Sequence, residues 1–364
     1  MQVYVIGTRG FPNIQGGIEK HCEEIYPILS NKYNYDILIL TTLKPLYNEF
    51  KNIKFKRIFT IRQKSLEKII YSLNATLYCL IKRPDIVHIQ GLNSALAIPI
   101  LRLFGLKTIY TQHSMDYLYP KWGFLAKKIL LFLEYCATFA NEITVVSPLI
   151  QNRFKKKYNI NTKITYNGVQ FNKQISDKNY HFYKHKLKDK KYILFVGRIT
   201  AEKDLITLIK AFNLINKELY LVLVGAVDYA DKYTKDIFRL VSNNNQIILT
   251  GKIDNNDLPI FYKNALIFIL PSKYEAFPIV LLEAIFNLSE ILLSDIEALK
   301  QFNFFNEKNY FEVGNITNLI KKIEYIIDNP TSIEDKLKLK NKILSLYTWE
   351  DSADIFSKIY EKII

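Results

Sequence analysis

Short runs of β-branched and aromatic residues alternate along the chain with segments whose apolar positions recur three and four residues apart. The runs Gln2–Gly7, Asp36–Thr42, Lys54–Ile61, Ile86–Gly91, Lys107–His113 and Glu142–Ser147 predict strands. Helical patterns fill the gaps, such as Ile18, Cys22, Ile25, Tyr26 and Leu29, which share one face. The polar, basic stretch Asp177–Lys191 interrupts this order, and the alternation then restarts. Strands are expected at Tyr192–Gly197, Leu219–Gly225, Gln246–Gly251, Ile267–Pro271 and Ile291–Asp295, each followed by a helix. Two successive βα arrays of similar size predict an α/β chain of two doubly wound, Rossmann-like domains facing across a cleft. Residues 1–172 would form the first, 173–191 a linker and 192–347 the second. Residues 348–364, with Trp349, Ala353, Phe356, Tyr360 and Ile363 along one face, would form a last helix.

A length of 364 residues and a hydrophobic content of 49% are ample for two cores and argue against disorder. The formal charge of +15 points to an anionic partner: nucleic acid, an acidic membrane surface or a phosphorylated ligand. Codon bias toward Lys, Asn, Ile and Tyr accounts for much of the lysine excess, and no aromatic-basic motif for nucleic acid is visible. Cys22, Cys79 and Cys136 stand far apart without a C-x-x-C, and the five histidines form no metal-ligand pattern. The chain opens directly on a strand-like run, so residence in the cytoplasm is expected. The most lipid-like stretch, Phe124 to Ala140, is interrupted by Lys127, Lys128 and Glu134. It predicts an amphipathic helix, either packed in the protein or lying on a membrane surface.

The candidate chemistry gathers at strand ends. The buried run Ile267–Leu270 leads into Pro271-Ser-Lys-Tyr-Glu-Ala-Phe-Pro-Ile-Val-Leu-Leu-Glu283, with Pro278 suited to the first position of a helix carrying Ile279, Leu282 and Ala284 inward. Glu275 then lies in the strand-to-helix loop and Glu283 on the helix. In open α/β sheets this loop is where a phosphorylated ligand is held, and two carboxylates there can accept hydrogen bonds from sugar hydroxyls. In Phe195-Val-Gly-Arg-Ile-Thr-Ala-Glu-Lys-Asp204, Arg198 and Lys203 put two cations at one strand mouth, a geometry suited to a diphosphate. Near the N-terminus, Gly7-Thr-Arg-Gly10 and Gly16-Gly17-Ile-Glu19 let backbone approach a ligand where a helix begins. The spacing is not G-x-G-x-x-G, and Thr41-Thr42 ends the next strand in place of an acid, so a nicotinamide dinucleotide is disfavoured. His113 ends a strand in Tyr110-Thr-Gln-His-Ser-Met-Asp116.

Taken in order, these motifs resemble those of the retaining glycosyltransferases of family 4, which have the two-domain GT-B fold. The run P-S-x-x-E-x-F-P-x-x-x-L-E-A is similar to their donor-site signature, and the resemblance implies that Glu275 meets the transferred sugar and Glu283 the nucleotide ribose. It further implies that Arg198 and Lys203 hold the donor diphosphate. Ala276, Phe277, Pro278 and Ile279 would line the donor, with Gly251 and Ile253 beside the base. Gly16, Gly17 and Glu19 would border the donor phosphates and the acceptor. His113 and Asp116 match the family's His-Gly-x-Asp with Ser114 in place of Gly, Asn167-Gly-Val169 matches the segment before the linker, and the last helix should return to the first domain. Ala276 for Gly, Asn287-Leu-Ser-Glu290 for Gly-x-Pro and Asn315 for Asp depart from the pattern.

The resemblance implies sugar transfer from a nucleotide diphosphate sugar to a hydroxyl, with retention and without a metal or other cofactor. No Asp-x-Asp metal motif appears. The expected acceptor is a glycan, lipid-linked, of bacterial surface polysaccharide assembly, with an acidic membrane as a peripheral contact and no nucleic acid as partner. A nucleotide-sugar epimerase of the same architecture and a noncatalytic partner subunit stay open.

Overall fold

The structure, a computed structural model, describes residues 1–61, 63, 67–169, 187, 191–215, 218–227 and 231–364. The linker expected at 173–191 lies outside the described residues apart from Leu187 and Lys191. The chain divides into two compact units, one of Met1–Gly168 with Thr348–Ile364, the other of Val169–Tyr347.

The first unit is built on an eight-stranded sheet. Its strands are β1 (Gln2–Thr8), β2 (Asp36–Thr41), β3 (Glu49–Phe50), β4 (Ile53–Arg57), β5 (Ile86–Gln90), β6 (Lys107–Gln112), β7 (Glu142–Val145) and β8 (Lys163–Ile164), ordered β3-β4-β2-β1-β5-β6-β7-β8. All neighbours are parallel except β3 and β4. The central strands are buried on both faces, as a parallel sheet covered by helices requires, and the polar members His88, Gln90, Thr111 and Gln112 are buried with them. The order reverses between β1 and β5, so the loops after these two strands diverge and leave a crevice at their carboxyl ends.

The helix Gly17–Tyr33 buries Cys22, Ile25, Tyr26 and Leu29 and packs against the C-terminal helix Trp349–Ile363. Thr348 caps that last helix through the Asp351 N–H at 3.0 Å. Trp349, Ala353, Phe356 and Tyr360 are buried as the pattern predicts, whereas Ile363, in the final turn, is only half-buried. Lys32 meets Asp354 at 2.6 Å and Tyr35 meets Ser357 at 2.8 Å, so the returning helix is a built part of the first unit.

The second unit holds a six-stranded parallel sheet: β9 (Tyr192–Val196), β10 (Tyr220–Val224), β11 (Ile247–Gly251), β12 (Ile267–Leu270), β13 (Ile291–Ser294) and β14 (Tyr310–Phe311), ordered β11-β10-β9-β12-β13-β14. Here the reversal falls between β9 and β12, the strands that carry the two most informative motifs at their carboxyl ends. The signature helix runs Ile279–Phe286, one residue later than expected. Pro278 stands at its cap with ψ 113°, an extended value, because its ring fixes φ without obliging the residue to be helical. Where Gly-x-Pro is missing, Leu288 takes a left-handed φ of 62°, and buried Glu290 accepts from the Thr331 N–H at 2.8 Å and meets Lys336 at 2.7 Å. Asn315 caps the helix Ile316–Asp328 through the Asn318 N–H at 2.9 Å, a task a carboxylate would also perform.

Candidate functional site

In the second unit, three loops converge at the sheet's carboxyl edge. Gly197, Gly225 and Gly251 follow or end adjacent strands and are joined through backbone, Gly197 N–H to Val224 carbonyl and Gly225 N–H to Gly251 carbonyl, each at 2.9 Å. Beyond Gly197 the chain carries Arg198, turns through Ala201–Lys203 and enters the helix Leu205–Phe212 at Asp204, which holds a left-handed φ of 48°. That is where glycine would be unstrained; Asp204 is kept there by accepting from the Thr207 hydroxyl at 2.8 Å and pairing with Lys273 at 2.9 Å.

The loop after β12 meets this turn three times. Lys203 Nζ donates to Glu275 Oε1, Lys273 Nζ pairs with Asp204, and the Lys273 N–H donates to the Glu202 carbonyl at 2.9 Å. Lys203 and Glu275 are nearly enclosed, with side chains 15% and 9% exposed, so little water competes for the pair. Ser272 Oγ also donates to Glu275 Oε1 at 2.7 Å, and the Ser272 carbonyl accepts from Ser294 at 2.5 Å. The carboxylate is thereby fixed on a rigid loop. Arg198 Nη2 lies 4.0 Å from Glu202.

Glu283 accepts from the Tyr262 hydroxyl at 2.9 Å; burial, reinforced by that carboxylate, pushes the Tyr262 phenol well above its usual range. Phe277 packs its ring against Phe302 and Tyr347, 5.0 and 5.2 Å between centroids, and Ile253 is buried. The Ala276 carbonyl accepts from Gln301 at 2.8 Å. The helix that follows starts without a side-chain cap, leaving its first N–H groups to whatever lies beyond them. The structure thus brings Arg198, Lys203, Glu275 and the start of the signature helix to one switch point.

In the first unit, Gly7 has φ +102° and a Cβ there would fall 2.0 Å from the Gln90 carbonyl oxygen, so only glycine lets β1 and β5 approach. Glu19 Oε1 accepts from Arg9 Nε at 3.0 Å and from the Arg9 N–H at 3.3 Å, while Arg9 Nη2 donates to the Gln15 carbonyl. Glu19 therefore staples the glycine loop shut against the helix. A Cβ on Gly16 would fall 1.9 Å from Glu19 Oε2, whereas one on Gly17 would meet nothing. His113 Nε2 meets Gln90 Oε1 at 2.6 Å, which makes Nε2 the protonated nitrogen and Nδ1 the acceptor. Its ring stands edge-on to His21 at 4.8 Å between centroids. Burial, then repulsion from His21 and His88, holds the His113 pKa well below the ordinary value. Asp116 accepts from Ser114 at 2.6 Å.

The sequence pattern assigns no role to Gln90 or Tyr262, and holds Ser272 only as a member of the P-S-x-x-E run. Ser272 has a signal in hindsight, a hydroxyl three residues before a carboxylate; Gln90 has only its place at the end of β5, beside β6. Among the described residues no group of three or more His, Cys, Asp or Glu side chains is arranged to hold a metal ion.

Comparison with known proteins agrees with this layout. Residues 15–173 match the family model described as Glycosyltransferase Family 4, and residues 176–343 match Glycosyl transferases group 1. An uncharacterized glycosyltransferase of Methanocaldococcus jannaschii is 24% identical over 329 residues, 83% of this chain and 82% of that one. The capsular polysaccharide biosynthesis glycosyltransferase CapM of Staphylococcus aureus is 24% identical over 253 residues, 64% of each chain. HepE of Anabaena, solved in complex with UDP-glucose, superposes with a TM-score of 0.81 at 14% identity over 100% of both chains, a likeness of fold.

Proposed function

The chain belongs to the family 4 glycosyltransferases of GT-B fold, and from that premise we propose that it moves a sugar from a nucleotide diphosphate sugar to a hydroxyl of a lipid-linked glycan, with retention of configuration, in the assembly of a bacterial surface polysaccharide. One observation carries the reading: Lys203 and Glu275, 72 residues apart, join at the sheet's switch point. The kinship with CapM supports the polysaccharide setting, and the likeness to a fold solved with UDP-glucose supports the donor class.

The acceptor oxygen attacks the anomeric carbon on the face from which the diphosphate departs. The bond from that carbon to the phosphate oxygen breaks, its electron pair leaves with the diphosphate, and the acceptor proton passes to a departing phosphate oxygen. Negative charge grows on the leaving group, where Arg198, Lys203 and the N-terminus of the signature helix stabilise it without a divalent ion. Glu275, oriented by Ser272 and Lys203, holds sugar hydroxyls, and Glu283 the ribose. In the first unit, neutral His113 presents Nδ1 as a hydrogen-bond acceptor. The enzyme works in the cytoplasm, peripheral to the membrane that carries its acceptor.

Incubating the pure protein with labelled nucleotide sugars and lipid-linked acceptors tests this. Transfer with retained anomeric configuration, lost in Glu275→Ala and Arg198→Ala while the circular dichroism is unchanged, is the expected result. Normal turnover in either variant would overturn the site, and an epimerised donor without transfer would overturn the reaction.

A further inference from the structure

The helix Phe124–Ala137 buries a charge and exposes a broad apolar stripe. Its one acid, Glu134, is completely buried, accepting from Arg153 at 2.9 and 3.1 Å, from Lys157 at 2.9 Å and from Tyr158 at 2.9 Å. Leu130 packs inward with Leu131 and Leu133 in one apolar cluster, yet Phe124 and Leu125 are 76% and 71% exposed, and Ile129, Phe132 and Tyr135 about half. At 100° per residue these five fall within one stripe of the helix surface. Lys128 shares that stripe, its Nζ 4.5 Å from the centre of the Phe124 ring.

The neighbouring helix Glu67–Lys82 repeats the pattern. Ile69, Leu73, Leu77 and Ile81 are exposed at four-residue steps, while Tyr71, Ala75 and Cys79 face the core. The short helix Ala97–Leu103 packs against both and ends in Leu103, 83% exposed. One layer of the first unit therefore carries two apolar stripes and the tip of a third helix outward. Such rows differ from the singly scattered apolar side chains normal on a protein surface.

Charge selects the occupant. From Ala95 to Leu133 the sequence carries Arg102, Lys107, Lys121, Lys127 and Lys128 but Asp116 as its one acid. Apolar and aromatic side chains interleaved with cations, on a helix far too short to cross a bilayer, fit the boundary between headgroups and acyl chains. We infer that this layer of the first unit, centred on the helix Phe124–Ala137, is the surface by which the protein docks on an anionic lipid bilayer.

The inference deepens the reading of a lipid-linked acceptor, and its test is independent of turnover. Flotation of the full chain with vesicles of equal parts phosphatidylcholine and phosphatidylglycerol should recover it in the lipid fraction. Vesicles of phosphatidylcholine alone, or high salt, should recover much less. Replacing Phe124, Leu125 and Phe132 together by serine should weaken vesicle partition by about 100-fold. The three side chains are largely solvent-exposed, so the circular dichroism and transfer to a water-soluble acceptor should persist. Equal partition of the triple variant and wild type, or no partition of the wild type, would overturn the inference. So would a dimer in gel filtration that the triple variant abolishes, which would give the face to a second copy. Loss of sugar transfer with partition intact would instead strike the proposed reaction and leave the surface standing.

Discussion

Mild acid should loosen the first unit before it touches the rest of the molecule. His21 and His88 lie buried, with His113 half-buried beside His21, and His88 hydrogen-bonds to Tyr26, Tyr360 and Thr111 at 3.0, 2.7 and 2.7 Å. Burial lowers His21 to about 4 despite its hydrogen bond to Asn167, and burial followed by repulsion from neighbouring imidazoles drives His88 and His113 well below 6.5. Each is neutral when folded and takes up a proton on unfolding. The stability their neutral forms contribute is fully present above the unfolded pKa and is lost as pH falls through it toward the folded value. For His21, going from about pH 7.5 to about pH 5 removes about 2 kcal/mol, and His88 and His113 act in the same direction.

Glu134 does not interfere: burial alone would raise it, but the hydrogen bonds from Arg153 and Lys157 prevail and hold it at about 2. Both tryptophans, Trp122 and Trp349, belong to the first unit, so their fluorescence during urea unfolding reports that unit. With a slope of about 2 kcal/mol per molar urea, the midpoint should fall by about 1 M from His21 alone. His21→Asn should remove that share of the total shift. Equal midpoints at the two pH values, or a shift undiminished in the variant, would refute the reasoning. Transfer per folded molecule should meanwhile show no inflection from His113 over the same range, because it is neutral throughout.

Three further outcomes follow from single contacts. Gln90→Leu removes the partner that fixes the His113 tautomer and should lower kcat about tenfold with KM for the donor little changed, as read by initial rates. Tyr262→Phe removes the phenolic hydrogen bond to Glu283; donor KM should rise several-fold, and stability fall by about 1 kcal/mol in thermal unfolding. Glu134→Gln leaves Arg153 and Lys157 without their buried counter-charge and should cost about 2–4 kcal/mol, read from tryptophan fluorescence in urea.

Much of this was legible before any coordinates, because a parallel sheet writes its central strands as uninterrupted apolar runs. Each of the eleven expected runs contains a strand, and the motif at Glu275 already placed a carboxylate after one of them. The two-residue strands β3, β8 and β14 were not legible: they are too short to show a period and exist only because a longer neighbour pairs with them. Long-range pairing was equally hidden. Lys203 could have been assigned to Glu202, its sequence neighbour, yet the fold turns Glu202 toward Arg198 and gives Lys203 to Glu275. Glu134 read as an interruption of an apolar helix, whereas its cations come from the next helix, 19 and 23 residues further on. Such contacts depend on which strands lie side by side, and periodicity carries no record of that.

The account turns on a diphosphate held between β9 and β12 by Arg198 and Lys203, and calorimetric titration reads this directly. Take the nucleoside diphosphate whose sugar supports turnover, with the uncharged nucleoside as control. Arg198→Ala and Lys203→Ala should each weaken the diphosphate by about 10- to 100-fold and leave the nucleoside unaffected. Diphosphate affinity equal to that of the unaltered protein in both variants would contradict it.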